Sequence, residues 1–217
     1  MHKNITNLVS IEKELKNKLE DPGKVKIIAV SKTFFKDDIK PLLEYGQIHF
    51  GENKIQEAKE KWPSIKKDYP NIKLHMVGKL QTNKVKFAIP LFDYIHSLDN
   101  LKLAKKISLE QEKLQKKLKI FIQVNIANEK QKNGISLREL NDFYSICINE
   151  LGLNIVGLMC LPPDDGKSNH YFLEMKKLKL QLNVKELSMG MSSDYLEAIK
   201  NDASYIRVGS KIFGNRI

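Results

Sequence analysis

The sequence predicts an α/β protein, a single (β/α)₈ barrel with one additional helix at its N-terminus. Eight short apolar segments recur along the chain, and lysine-rich amphipathic stretches long enough for crossover helices lie between them. The length of 217 residues is typical of one such barrel. A doubly wound open sheet would produce the same linear pattern and remains the alternative.

An amphipathic segment opens the chain. Its apolar residues follow one another at steps of three and four, which is the spacing of one helix face. They are Ile5, Leu8, Ile11, Leu15 and Leu19. The pattern stops before Asp21-Pro22-Gly23, a sequence that ends helices. Residues 1–22 are therefore predicted as an N-terminal helical segment that packs on the barrel.

Short apolar runs supply the predicted strands. They span residues 26–32, 48–50, 74–77, 94–98, 120–126, 155–161, 186–189 and 205–208. The amphipathic stretches between them include residues 37–45, 53–61, 101–117, 137–150 and 171–182. Because the active sites of barrels lie where strands end and βα loops begin, the functional residues are expected at those points.

The composition is that of a globular protein with a sizeable core, since 41% of the residues are hydrophobic and 29% are charged. No segment approaches the roughly 18 apolar residues of a membrane span, and the first residues do not resemble a signal sequence. We therefore expect a cytoplasmic protein of one domain, residues 1–217, without a membrane partner. Cys147 and Cys160 lack the spacing of a zinc site or a disulfide framework and are expected to be buried, reduced thiols.

The formal net charge of +11 would fit a nucleic-acid partner, because clustered Lys and Arg bind polyanions. Only three of the 37 basic residues are Arg, however, and the lysines are spread over nearly every predicted helix. Solvated lysine faces account for most of such a charge. A nucleic-acid-binding function is disfavoured, and salt-dependent binding would be its test.

The first predicted strand ends in Ser31-Lys32-Thr33, which places a lysine at the mouth of the barrel. Partial desolvation favours the neutral form of an amine, and a neutral amine can attack an aldehyde to form a Schiff base. An ordinary surface lysine at a strand end is the alternative interpretation. The other residues at the mouth must decide between them.

Two segments rich in small residues, 187–194 and 207–210, follow the seventh and eighth predicted strands. Barrels often bind phosphate there, because glycine lets the backbone approach and N–H groups at a helix start face the anion. The candidate contacts are Ser192, Gly209 and Ser210. A single loop of this composition would be an ordinary turn, but two such loops together favour a phosphate ligand.

The histidines of the strand regions, His49, His75 and His96, match no metal motif. A lone histidine on a strand is more often a satisfied core residue than a catalyst. No metal site is predicted. The sequence also contains no nucleophile elbow and no P-loop.

Several motifs become informative when they are taken together. They are Ile28-Ala29-Val30-Ser31-Lys32-Thr33, Phe50-Gly51-Glu52-Asn53-Lys54, His75-Met76-Val77-Gly78 with Leu80-Gln81-Thr82-Asn83-Lys84, and residues 187–192 with 207–216. In this combination the sequence closely resembles the YggS/PROSC family of pyridoxal phosphate homeostasis proteins. The resemblance runs from about Lys26 to Arg216, in the same order throughout.

The resemblance implies a barrel like the N-terminal domain of alanine racemase, with pyridoxal 5′-phosphate (PLP) held as an internal aldimine on Lys32. The resemblance implies that Ser192, Gly209 and Ser210 contact the phosphate. It also places Arg207 opposite the pyridine nitrogen. It also implies that Asn53, His75 and Met191 line the pocket.

An arginine opposite the pyridine nitrogen disfavours protonation of the ring, which becomes a weaker electron sink. The function implied is PLP homeostasis: a monomer that buffers PLP or delivers it to PLP-dependent apo-enzymes, with effects on amino-acid and keto-acid metabolism and without robust catalysis. A PLP-dependent amino-acid racemase is the enzymatic alternative, although the second domain that such a racemase needs is not expected here. A barrel enzyme acting on an ordinary phosphate ligand, with no aldimine, is a further alternative.

Overall fold

The computed structural model describes residues 1–129 and 131–214, and it shows a closed barrel of eight parallel strands. The strands pair in chain order, and the eighth pairs with the first to close the sheet. They are β1 (Lys26–Val30), β2 (His49–Glu52), β3 (Lys73–Met76), β4 (Tyr94–Leu98), β5 (Lys119–Val124), β6 (Ile155–Cys160), β7 (Glu186–Ser188) and β8 (Tyr205–Val208). The predicted (β/α)₈ barrel is confirmed, and the open-sheet alternative is wrong.

Helices surround the barrel. They are α1 (Lys3–Lys18), α2 (Lys36–Tyr45), α3 (Ile55–Asp68), α4 (Val85–Leu91), α5 (Leu101–Leu114), α6 (Leu140–Ser145), α7 (Ser168–Gln181), α8 (Tyr195–Lys200) and α9 (Ser210–Phe213). α6 continues into a π-helical turn at Ile146–Glu150. The three helices that the sequence pattern did not single out, α4, α8 and α9, have seven residues or fewer, too few for an apolar period to stand out.

The N-terminal helix α1 is present and packs against α2 and α9. Its apolar face, including Leu8 and Ile11, is fully buried, and the side chain of Asn7 donates a hydrogen bond to the carbonyl of Ile212 in α9. The helix ends at Lys18, and a short 3₁₀ turn at Pro22–Lys24 leads into β1. The predicted segment is therefore confirmed, although its last residues are not helical.

Two apolar layers stabilise the fold. The larger lies between the sheet and the helices, and burial of its side chains supplies most of the driving force for folding. The smaller fills the barrel interior with Ile28, Val30, Tyr94, Phe121, Met159 and Tyr205. Because alternate residues of a strand face the interior, the same interior also receives polar side chains from several strands.

Both cysteines are buried and are not disulfide-bonded. Burial raises the pKa of each thiol to about 12, so Cys147 and Cys160 stay protonated at neutral pH. Within the described ranges, no helix has the length and apolar character that crossing a membrane requires. Arg216, at the end of the last family-like motif, lies outside the described residues.

Candidate cofactor site

A cavity of about 720 Å³ opens at the carboxyl ends of the strands, a volume that suits a small organic ligand. Its wall comes from the ends of β1 and β8 and from the loops that follow β1, β2, β3, β6, β7 and β8. Seven of the eight binding residues expected from the sequence lie on this wall: Lys32, Asn53, Met191, Ser192, Arg207, Gly209 and Ser210. The structure therefore brings most of the predicted site together.

Lys32 is half-buried in a tight turn directly after β1. The preceding residue anchors the turn, because the Ser31 amide donates to the Gly51 carbonyl and the Ser31 hydroxyl donates to Glu52 Oε1 at 2.8 Å. Thr33 has a φ of +69°, a left-handed conformation that is costly for a β-branched residue. Surrounding contacts must therefore hold the turn in place.

The side chain of Lys61, from α3, supplies those contacts. Its Nζ donates to the carbonyls of Ser31 and Phe34, each at 2.9 Å, and so spans the turn that carries the cavity lysine. The same ammonium group pairs with Glu52 at 2.8 Å, where the two side chains are only 7% and 0% exposed. Burial raises the pKa of the Glu52 carboxyl, whereas Lys61 and the indole N–H of Trp62 act in the opposite direction. We call these contacts of Lys61 with Ser31, Phe34 and Glu52 the clamp; no local pattern in the sequence indicates it.

The loops after β7 and β8 form another part of the wall. In the first, the Asp194 carboxylate accepts a hydrogen bond from the Met191 amide at 2.6 Å and shapes the loop that presents Ser192. The hydroxyl of Ser192 accepts a bond from the Lys211 amide at 3.3 Å, which links the two loops. The N–H groups of Lys211, Ile212 and Phe213 already donate to Ser192 Oγ and to the Gly209 carbonyl, whereas within the described residues that of Ser210, the first residue of α9, has no acceptor. The hydroxyls of Ser192 and Ser210 and this N–H group therefore lie on one region of the wall, which suits an anion.

Arg207 lies at the base of the cavity and is only 4% exposed. Its Nη1 donates to the Ser188 hydroxyl at 2.7 Å, and its Nη2 donates to the Cys160 carbonyl at 2.8 Å. Both partners are neutral, and no carboxylate of the described residues forms an ion pair with this guanidinium. Burial lowers the pKa of Arg207, but an arginine remains charged at neutral pH.

Asn53 contributes an unsatisfied acceptor to the cavity wall. Its Oδ1 is buried and has no hydrogen-bond partner in the described part of the chain. The backbone of Asn53 is held by close packing, because a Cβ on Gly78 would lie 2.4 Å from the Asn53 carbonyl oxygen. A buried acceptor without a partner is costly, so a ligand that donates a hydrogen bond fits this position.

The structure corrects the expectation for His75, which is fully buried in the barrel interior and does not reach the cavity wall. Its Nε2 pairs with His49 Nδ1 and its Nδ1 pairs with His96 Nε2, each at 2.9 Å. Its ring stacks on Tyr94 with centroids 4.1 Å apart. The reason lies in its position along β3, because His75 precedes the end of the strand, and Val77 and Gly78 reach the cavity instead.

These features fit PLP by the chemistry of their donors. A half-buried lysine matches an aldehyde, hydroxyl and amide N–H groups match a phosphate, a guanidinium matches a ring nitrogen, and an unsatisfied oxygen matches a hydroxyl donor. Fold and site together define a barrel protein that binds one small anionic ligand beside a lysine.

Comparison with known proteins narrows this class. The family model described as "Alanine racemase, N-terminal domain" matches residues 9–216. A protein named "Pyridoxal phosphate homeostasis protein" from Pasteurella multocida (strain Pm70) is 33% identical and covers 97% of this chain and 96% of its own. The solved structure of PipY, the COG0325 family member of Synechococcus elongatus PCC7942, with PLP bound, is 32% identical with a TM-score of 0.83 and covers 97% of this chain and 100% of its own.

A more distant likeness concerns the fold alone. Alanine racemase of Clostridium difficile 630 is 15% identical with a TM-score of 0.71, and the match covers 99% of this chain and 57% of the racemase. The family assignment rests on the family model and on the relatives that match over nearly their whole length. The chain belongs to the YggS/PROSC family of pyridoxal phosphate homeostasis proteins, as the sequence motifs indicated.

Proposed function

We propose that this protein binds PLP reversibly through Lys32 and serves PLP homeostasis in the cytoplasm. The observation that carries the proposal is the placement of Lys32 on the same cavity wall as Ser192, Gly209 and Ser210. A lysine and an anion-binding region on one cavity are what a ligand with both an aldehyde and a phosphate requires. The bound ligand of PipY and the names of the relatives support the same conclusion.

The residues of the site have separate roles in this proposal. When bound, PLP supplies an aldehyde that condenses reversibly with a lysine amine. Lys32 presents that amine from a turn fixed by Lys61. Ser192 and Ser210 donate to the phosphate. Arg207 can only donate, so a ring nitrogen facing it accepts a hydrogen bond and stays unprotonated.

We propose a role in holding and releasing PLP, with no robust catalysis. Racemisation of an amino acid needs groups that exchange protons with the substrate on both of its faces. Besides Lys32, the described polar side chains of the wall are Asn53, Arg207 and serine hydroxyls, none of which titrates near neutral pH. The homeostasis names of the relatives support the same role.

Covalent trapping tests the proposed attachment. Purified protein incubated with PLP is reduced with borohydride, and the labelled peptides are mapped by mass spectrometry. One PLP on the peptide that contains Lys32 is expected, and Lys32→Ala should lose this label together with the visible absorbance band of the complex. Lys79→Ala is the matched control, since Lys79 is exposed and lies outside the cavity wall. Equal labelling of the Lys32→Ala protein would refute the assignment.

Two further measurements test the carrier role. Exchange of the α-hydrogen of amino acids in deuterated water should stay at the level of free PLP, and rapid turnover would establish a racemase instead. Mixing the PLP-loaded protein with a PLP-dependent apo-enzyme should restore the activity of that enzyme. Size-exclusion chromatography with light scattering should give the 25.0 kDa of a monomer.

A further inference from the structure

A chain of hydrogen bonds crosses the barrel interior from the cavity to the opposite face. Arg207 Nη1 lies 2.7 Å from Ser188 Oγ, which lies 2.8 Å from His96 Nδ1. His96 Nε2 lies 2.9 Å from His75 Nδ1, and His75 Nε2 lies 2.9 Å from His49 Nδ1. The three middle residues are 0% exposed. We call these five residues the interior chain.

The protons of the interior chain can be arranged in two ways. In the first, the Ser188 hydroxyl donates to His96 Nδ1, and each histidine carries its proton on Nε2 and donates to the next residue towards His49. In the second, each histidine carries its proton on Nδ1 and donates towards Ser188. The second leaves the proton of the buried Ser188 hydroxyl without an acceptor among the described residues, because that oxygen then accepts from both His96 and Arg207.

Electrostatics favours the first arrangement. Arg207 is a buried cation whose hydrogen-bond partners in the described chain are a hydroxyl and a carbonyl. Such a charge is costly to bury unless dipoles are oriented towards it. In the first arrangement every lone pair faces Arg207 and every N–H bond points away. Hydrogen bonds linked in one direction also polarise and strengthen one another.

We propose that Ser188, His96 and His75 position Arg207 and stabilise its charge through a one-way hydrogen-bonded chain that ends at His49. The inference rests on the proposed function only in that Arg207 is the group that faces the cofactor ring. A neutral support has a consequence for binding. A carboxylate would engage the guanidinium as a fork and cancel its charge, whereas a hydroxyl and a carbonyl use two of its five N–H groups and keep the positive charge for the cavity.

The far end of the chain fits the same direction. His49 is the first residue of β2, at the opposite end of the barrel from the cavity. Burial, followed by the charges of Lys26, Lys73 and Lys119, lowers its pKa to about 4, against a smaller opposite effect of Asp93. The residue is therefore neutral at physiological pH and can accept a bond from His75.

Nuclear magnetic resonance of the wild-type protein tests the direction of the chain without PLP. Long-range ¹H–¹⁵N correlation of histidine-labelled protein at pH 7 distinguishes the two neutral tautomers and the cation. We expect His49, His75 and His96 to be neutral with the proton on Nε2. The histidine signals are assigned with the variants His2→Gln and His170→Gln, whose residues do not belong to the interior chain, and with His49→Gln. A proton on Nδ1 of any of the three, or a cationic His75 or His96, would overturn the proposal.

Substitution of Ser188 tests the effect on the cofactor. Ser188→Ala removes one of the two acceptors of Arg207, and the loss of a hydrogen bond to a charged group predicts an increase of roughly tenfold in the Kd for PLP. It should also shift the ¹⁵N resonance of ring-labelled PLP, which a general loss of packing at the phosphate would not move. Ser188→Thr keeps the hydroxyl and should restore most of the affinity.

The outcomes separate this inference from the proposed function. Unlabelled Lys32 in the wild-type protein would refute the proposed function, while the tautomers would still decide the interior chain. Normal labelling with unchanged PLP affinity and an unchanged ring resonance in Ser188→Ala would refute the positioning role and leave the function intact.

Discussion

Replacing Lys61 with methionine should destabilise the protein and loosen the turn that carries Lys32. Methionine keeps the apolar length of the side chain but removes an ammonium group that bonds to two carbonyls and two carboxylates. Without Lys61, the fully buried Glu52 carboxyl would keep, among the described residues, only its hydrogen bonds from Ser31 and Trp62. Removing one partner of a buried ion pair lowers the free energy of unfolding by about 3 to 5 kcal/mol. That is a large part of the roughly 5 to 15 kcal/mol by which folded domains are stable.

Urea unfolding measures this loss, provided that the slope of the free energy of unfolding against urea is unchanged. Lys67→Met, at an exposed position of the same helix, is the control and should change the stability by less than about 0.5 kcal/mol. The double variant Lys61→Met with Glu52→Gln removes both charges and should recover part of the loss. Borohydride trapping of PLP on Lys32 should be slower in the single variant. A loss below about 1 kcal/mol, with normal trapping, would refute the clamp.

Three further changes test other parts of the structure. Between pH 6.5 and about 4, the unfolded chain binds more protons at His49 than the folded one, so this residue lowers the stability by about 3 kcal/mol as the pH falls through the window. Burial lowers the pKa of His75 and of His96 as well, so His49→Phe should make the acid limb of urea titrations less steep without abolishing it. An unchanged limb would contradict the buried neutral state of His49. Gly157→Ala would place a Cβ 1.9 Å from the carbonyl oxygen of Glu186. The variant should lower the thermal midpoint by more than 10 °C, which corresponds to a loss of roughly 3 kcal/mol in the free energy of unfolding for a chain of this size. Gly23→Ala, the control, should change the midpoint little. Ser192→Ala should weaken PLP roughly tenfold in fluorescence titrations and leave pyridoxal, which lacks the phosphate, unaffected; equal effects on both ligands would argue against a phosphate contact.

The barrel and much of the site follow from local patterns in the sequence. Strands of a parallel barrel are buried on both faces and are therefore short apolar runs, which is why all eight were located within two residues of their observed ends. Because βα loops begin where such runs stop, the same pattern located Lys32 and Ser192 on the cavity. Family-like motifs added Arg207 and Asn53, whose own surroundings contain no comparable local signal.

The contacts that local patterns missed all join segments far apart in the chain. Lys61 looks like one more solvated lysine of an amphipathic helix, and only the packing of α3 shows that it reaches the turn after β1. The role of His75 depends on the register of β3 between β2 and β4, which puts two other histidines within hydrogen-bond distance. Polar residues at inward positions of three apolar strands were the available signal, but their pairing required the closed barrel.

The closure of the barrel also determines when the residues of the cavity can come together during protein synthesis. β1 pairs with β8, and Asn7 bonds to Ile212, 205 residues further along the chain. Contacts of such long sequence separation are slow to form, because the loop between them must close first. During synthesis Lys32 is therefore one of the first residues of the site to emerge, whereas the loops that present Ser192 and Ser210 emerge among the last. A nascent chain therefore exposes Lys32 early, but the proposed phosphate contacts at Ser192 and Ser210 come together only when translation has delivered β8 and the barrel is closed.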